Sequence, residues 1–302
     1  MRNYYCCRPS NFKLDGGAMF GIIPRPLWEK KAPCDELNRI DLSCNLPFII
    51  EKDEKLNSEK KILIDTGIGD YYDKVFMDRF QINGPSNPIK KSMAGISTPE
   101  EITDLILTHL HFDHVGGIAK QSGSSELVPV FPNAILHLHT EHYKYALSPT
   151  MRDSGSFHHQ NFTPIIDYYI ERGQINWLEG EEGIILDHPE NPIRFRCSHG
   201  HTPFLAHPYD NNFIYLADLI PTSAHMNIPW VMGYDMFPGT TTIEKKTFLE
   251  FALEKNLCLM FEHDPKTWGG HLCKDEKDRV VLKNQLPLEE NTFEITQLMS
   301  DQ

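Results

Sequence analysis

Between Thr108 and Gly117 the chain reads Thr-His-Leu-His-Phe-Asp-His-Val-Gly-Gly, which places four potential metal ligands within six residues. His109 and His111 stand two apart, so an extended segment presents both side chains on one face. Asp113 and His114 follow where the chain changes direction, and can aim at a second point beside the first. The Gly pair permits a tight turn into a helix. Imidazole and carboxylate donors suit Zn²⁺, Mn, Fe or Co, and no Cys stands in the segment to suggest thiolate ligation. The apolar run Asp104-Leu105-Ile106-Leu107 precedes it and reads as a strand.

Other short apolar runs end in the same way, at polar residues. Lys61 to Ile64 stops at Asp65-Thr66-Gly67, Phe213 to Ala217 stops at Asp218, and Leu257 to Phe261 stops at Glu262-His263-Asp264. Ala134 to His139 and Ile193 to Cys197 are two more, the latter followed by Ser198-His199-Gly200-His201. Arg279 to Leu282 reads as a terminal strand, and Leu286 to Gln302 as a short docking helix or a frayed tail. Helices are expected at Thr98-Pro99-Glu100-Glu101, an N-cap with Pro at the first helical position, and from about Thr242 to Asn256. Strands mixed with helices indicate an α/β or α+β architecture. Strand-end loops are where a rigid scaffold converges scattered side chains.

Length and charge narrow the function classes. The 302 residues allow one large or two small domains, and no linker divides them. We read a single domain over 1–302, with a core at about 45–275, an N-terminal extension 1–44 and a C-terminal tail 276–302. The net charge of −13 works against binding nucleic acid. No apolar run approaches the ~18 residues of a membrane span. The start of the chain lacks the apolar stretch of a secretory signal. Seven Cys without a CxxC pair fit free thiols in a reducing compartment, so a cytoplasmic location is expected. No G-x-S-x-G segment offers a serine nucleophile.

The H-x-H-x-D-H order of His109 to His114 resembles the signature of the metallo-β-lactamase superfamily. Gly200-His201-Thr202-Pro203 resembles the family's ligand turn, Ala217-Asp218 its bridging Asp, Phe261-Glu262-His263-Asp264 its last His, and Asp65-Thr66-Gly67 its early D-T-G turn. Gly16 to Gly21, Pro24 to Trp28 and Asp218 to Thr222 resemble the branch around YtnP-type lactonases and methyl parathion hydrolase. The resemblance implies an αββα sandwich of two mixed sheets with helices on the outer faces. It also implies two divalent cations, Zn²⁺ by default. His109, His111 and His201 would hold the first and Asp113, His114 and His263 the second, with Asp218 bridging. Asp113 and Asp218 would be the catalytic carboxylates of a dinuclear hydrolase. In such a site a hydroxide shared by the ions attacks the carbonyl of a small-molecule lactone or ester. Organophosphotriester and thioester hydrolysis are alternatives on the same site.

Around this set, the resemblance implies that Asp65 orients a liganding His, where spacing alone fits a turn-forming Asp equally well, and His225 and Tyr234 are candidates for contact with substrate. His199 competes with His201, which the Gly-His-Thr-Pro match favours. Two positions depart from the pattern. Phe204 stands where many members carry the Gly of G-H-T-P-G. Pro221 stands where homoserine-lactone hydrolases of a neighbouring branch carry a Tyr that polarises the lactone. The apolar stretch Met19 to Trp28 can line a pocket or a homodimer interface. The rivals are a ribonuclease Z-type nuclease, an iron-based oxygen reductase and a non-catalytic metal sensor. The acidic charge, the short chain after Asp264 and the full set of seven candidate ligands respectively count against them.

Overall fold

A computed structural model of the protein describes residues 2–53, 58–123, 126–283, 285–287 and 293–294. Its apolar runs alternate between two buried environments. In the strand Ser58–Ile64, Ile62 and Ile64 enter one hydrophobic cluster and Leu63 another. In Phe213–Tyr215, Phe213 and Tyr215 share the first of these clusters while Ile214 joins a third. Cys258–Met260 divides in the same way, with Leu259 facing the third cluster. Side chains that alternate at period two and are buried on both sides require sheets covered on both faces.

Two seven-stranded sheets result. The first runs Ile175–Leu178, Ile135–His139, Asp104–Ile106, Ser58–Ile64, Leu46–Asp53, Arg2–Cys7, Phe293–Glu294. The second runs Glu182–Leu186, Ile193–Ser198, Leu205–Tyr209, Phe213–Tyr215, Cys258–Met260, Thr267–Gly270, Leu286–Pro287. The cluster shared by Ile62, Ile106, Phe195, Phe213 and Met260 fills the space between them. Helix His159–Glu171 buries Phe162, Ile165, Ile166 and Tyr169 with Leu63, Leu105 and Leu136 on the outside of the first sheet. Helix Pro238–Glu254 buries Phe248, Leu249 and Ala252 with Ile214 and Leu259 on the outside of the second. The architecture is an αββα sandwich, as the resemblance implied.

Local outcomes differ from expectation in places. The long helix begins at Pro238, in the first turn, ahead of the Thr242 start. The Thr98 capping box forms, but it closes only a single 3₁₀ turn, Pro99–Glu101, because Ile102 returns to extended backbone. Arg2–Cys7, part of the stretch read as an extension, pairs along its full length with Leu46–Asp53. Within Leu286 to Gln302, the described residues form strands Leu286–Pro287 and Phe293–Glu294 instead of a helix, because each completes the edge of a sheet. The rest of that stretch lies outside the described residues. Among the described residues no helix is long and apolar enough to cross a membrane.

Strand direction places the site. Ser58–Ile64, Asp104–Ile106 and Ile135–His139 are mutually parallel neighbours, and so are Phe213–Tyr215 and Cys258–Met260. Parallel neighbours end at the same edge, so Asp65 and His109 emerge together from one sheet and Asp218 and His263 from the other. Backbone bonds stitch these ends across the sandwich. Ala206 N–H donates to Thr108 O at 3.0 Å and Asn45 N–H to Glu262 O at 2.8 Å; within the first sheet's own edge Thr66 N–H donates to His114 O at 2.7 Å.

Candidate metal centre

Seven side chains meet at this edge in two groups. Donor atoms of His109, His111, His201 and Asp218 lie within 4.8 Å of one another, as do those of Asp113, His114 and His263. Asp218 stands between the groups. Its Oδ2 is 3.0 Å from His201 Nε2 and 3.4 Å from His114 Nε2, and its Oδ1 is 3.2 Å from His263 Nε2. Asp113 Oδ2 is 3.6 Å from His263 Nε2. All seven are buried, and their slight exposure is confined to His111, Asp113 and Asp218 at 5–6% against 0–2% for the rest. The cluster therefore meets solvent over those three.

The local fold explains the close approach. A side chain at Gly116 or Gly117 would collide with the carbonyls of Ile68 and Thr66, so the Gly pair lets the ligand segment press on the Asp65-Thr66-Gly67 turn. Three non-glycine residues beside the ligands take left-handed backbone: Asp65 at φ 57°, Phe204 at 55° and Ala217 at 40°. Such conformations each cost about 1–3 kcal/mol and persist only where surrounding structure holds them.

The outer ring nitrogens of His109, His114, His201 and His263 are tied, that of His111 has no partner among the described residues, and the inner ones converge. His109 Nδ1 is 3.0 Å from Thr108 Oγ1, whose own proton goes to Asp65 Oδ2 at 2.7 Å. His201 Nδ1 donates to Asp235 Oδ1 at 2.9 Å, and His263 Nδ1 to Ser43 O at 2.9 Å. His114 Nδ1 faces Asp65 Oδ2 at 3.0 Å and Glu262 Oε2 at 2.7 Å. His111 is reversed: its Nδ1 points inward, 3.1 Å from both His109 Nε2 and His201 Nε2. A proton fixed on one nitrogen leaves the lone pair of the other facing the centre, which is the state a metal requires.

Electrostatics agrees. Burial, helped by neighbouring imidazoles, holds His109 and His111 well below the usual histidine range. In His201 and His263 burial works in the same direction, but the carboxylates outweigh it, Asp218 foremost, and both rise to about 9. Glu262 is fully buried, and burial pushes its carboxyl up to about 7 against the pull of His114. Asp218 Oδ1 is buried and accepts no hydrogen bond among the described residues. Without cations the carboxylates draw protons onto His201 and His263 but not onto His109 and His111, and cations bound in the same places would displace those protons. Five imidazoles and two carboxylates in two groups sharing one carboxylate fit two divalent ions with N/O ligation.

The remaining sequence candidates are placed as follows. Asp65 contacts Thr108 and His114, not the centre itself. His225 is buried with Nδ1 on Thr222 Oγ1 at 2.7 Å and Nε2 on Met19 O at 2.8 Å, stacked on Phe20, so both ring nitrogens are engaged away from the ligands. Tyr234 is partly exposed, and burial of its phenol, then the charges of Asp15 and Asp113, push it up to about 12. His199 turns outward to Glu181 at 2.8 Å, leaving His201 in the cluster. Pro221 O accepts from His263 N–H at 2.9 Å.

Several functional partners escaped sequence reasoning. Asp235 follows Tyr234 directly, and Glu262 precedes His263, but neither belongs to a spacing pattern. Glu244 accepts from the backbone N–H of His199 at 2.8 Å and of Gly200 at 2.9 Å, pinning the turn before His201 from the long helix. Gly200 is obligatory there, since a side chain would collide with Thr241. His142 joins two ligand loops, and burial lowers it to about 4.

Comparison with known proteins follows the same lines. The family model of the metallo-beta-lactamase superfamily matches residues 48–263. The chain belongs to the metallo-beta-lactamase superfamily and is a metal-dependent hydrolase of that class. It is similar to a probable metal-dependent hydrolase from Staphylococcus aureus at 25% identity and a TM-score of 0.80, covering 95% of this chain and 97% of that one. AidC, a dizinc quorum-quenching lactonase crystallised with a homoserine product, shares the fold at 18% identity and a TM-score of 0.66, with 96% and 95% covered. The hydrolase AbOPH does so at 18% identity and 0.68, with 95% and 94% covered. No curated protein matches the chain by sequence search.

Proposed function

We propose that the chain is a dinuclear hydrolase that opens small lactones or carboxylic esters. The observation that carries this reading is the Asp218 carboxylate, set between a three-histidine group and the Asp113, His114, His263 group. A pair of divalent cations, zinc by default, would supply a water nucleophile at neutral pH and polarise a carbonyl or phosphoryl oxygen when bound. The protein's part is to hold the donors. His109, His111 and His201 would hold one ion, Asp113, His114 and His263 the other, and Asp218 both. Asp65, Asp235, Thr108 and the Ser43 carbonyl keep outer imidazole protons in place. Burial excludes bulk water except over His111, Asp113 and Asp218.

The fold shared with AidC supports a lactone as first substrate class. The phenol that homoserine-lactone hydrolases place three residues beyond the bridging Asp is replaced here by Pro221, whose carbonyl instead holds the His263 amide. The residue that helps polarise the substrate therefore differs, and Tyr234 is the candidate. Phosphotriesters and thioesters rank behind.

The test is metal content of the purified protein together with hydrolysis of a lactone, ester, phosphotriester and thioester panel, for wild type and Asp218→Ala. About two ions per chain and turnover lost in the variant are expected. Less than one ion after reconstitution, or turnover indifferent to the substitution, refutes the reading and brings a binding or sensing role forward.

A further inference from the structure

The first histidine group is assembled from two separate loops. His109 and His111 come from the segment after strand Asp104–Ile106, and His201 from the turn after Ile193–Ser198. Between them stands His142, in helix Thr140–Leu147 and fully buried. Its Nε2 accepts from the Leu110 amide at 2.9 Å, the peptide between His109 and His111. Its Nδ1 donates to the Pro203 carbonyl at 2.8 Å, two residues beyond His201. Its ring centroid is 6.1 Å from that of His109.

The partners leave one protonation state. A backbone amide only donates, so Nε2 must carry its lone pair. A backbone carbonyl only accepts, so Nδ1 must carry the proton. The ring is thus neutral and in a single tautomer, which also keeps a further positive charge from a site built for cations. Ala206 N–H to Thr108 O joins the same two loops further out. His142 fixes them at the level of the ligands, where the buried Leu110 amide would otherwise lack a partner.

We propose that His142 is a positioning residue for this centre: through one imidazole, the spacing of the His109–His111 segment to the His201 turn is set before any ion binds. The inference rests on the dinuclear reading above for its consequence, but its geometry is present in the metal-free chain. It assigns a function to a histidine that neither ligates nor touches substrate.

Two variants of the full-length protein test it. His142→Gln retains one acceptor and one donor at the end of a side chain of similar reach. His142→Phe keeps the ring and removes both. Each is titrated with Co²⁺, read by its visible spectrum and by competition with a chelator, after circular dichroism confirms folding. His142→Phe is expected to weaken one of the bound equivalents about ten- to hundredfold, the usual effect of losing an outer partner of a ligand. The other equivalent, on Asp113, His114 and His263, should hold to within a few-fold, and His142→Gln should recover most of the loss. Wild-type Co²⁺ affinity for both equivalents in a folded His142→Phe overturns the proposal. So does equal weakening in Gln and Phe.

A second measurement needs neither metal nor activity. Long-range proton–nitrogen correlation on metal-free protein reads the tautomer of His142. A single Nδ1–H form at neutral pH is expected, and an Nε2–H form or a tautomer mixture overturns the proposal even if Phe fails to fold. If the tautomer and the Co²⁺ results hold while the substrate panel shows no hydrolysis, the functional reading falls and the positioning role stands.

Discussion

Phe204 offers a quantitative test of how the turn bearing His201 is built. It occupies the place of a family glycine, yet its backbone keeps the glycine conformation at φ 55°. An L-residue there costs about 1–2 kcal/mol. The ring offsets that cost by packing, stacked on His139 with centroids 4.8 Å apart and edge-on to His199 at 4.8 Å. Its amide also donates to His199 Nδ1 at 3.2 Å. Removing the half-buried ring should cost about 1.5–3 kcal/mol from lost burial and stacking. Phe204→Ala loses the ring and retains the strain. Phe204→Gly loses the ring, relieves the strain, and forfeits about 0.5–1 kcal/mol to the freer unfolded chain. The expected order of stability is therefore wild type, then Gly, then Ala, with Gly above Ala by about 0.5–1 kcal/mol although it is the smaller residue. Urea unfolding of the metal-free proteins at one pH measures both differences. Ala as stable as Gly, or more so, refutes the left-handed turn and with it this account of how the departure from G-H-T-P-G is accommodated.

Other predictions follow from the same geometry. Asp235→Asn removes the carboxylate that holds His201 Nδ1 at 2.9 Å and should weaken metal binding about ten- to hundredfold, measured by chelator competition. Unchanged affinity would mean that this contact does not orient the ligand. Glu244→Ala leaves two backbone N–H groups of the same turn without their acceptor and should cost about 1–3 kcal/mol in urea unfolding, whereas a cost near zero would show that solvent replaces the carboxylate. Burial holds His225 down to about 3, so the unfolded chain takes up its proton first. Stability from this group is present above about pH 6.5 and is lost as pH falls towards 3. Wild type minus His225→Gln should therefore lose about 1.4 kcal/mol per pH unit between pH 6 and 4. A flat difference would contradict the neutral, doubly bonded ring.

The contiguous part of the site was legible because its chemistry is local. His109, His111, Asp113 and His114 are placed by backbone geometry over a few residues, and an i, i+2 spacing carries the same meaning in any extended segment. Strand ends at Asp65, Asp218 and His263 were legible for a similar reason, since apolar runs and turn residues mark them. The resemblance to a known family then linked positions that spacing alone left as ordinary strand-end residues.

Tertiary structure decided what those positions do. His201 is 90 residues from His111, and His263 is 149 from His114, yet their ring nitrogens come within 3.1 and 3.3 Å. Parallel pairing brings the ends of Asp104–Ile106 and Cys258–Met260 to this edge, and two successive antiparallel pairings bring the end of Ile193–Ser198 to the same edge as that of Phe213–Tyr215. Apart from Asp65, the groups that orient the ligands lie beyond sequence reading. Asp235, Glu244, Glu262 and His142 have no spacing signature, because a hydrogen bond depends on where two loops end in space. His225 shows the converse: it stood among the candidates for contact with substrate, and packing under Phe20 and Met19 turned it inward. Residue type and local spacing determined which atoms could bind a cation, and the sandwich determined which of them face one another.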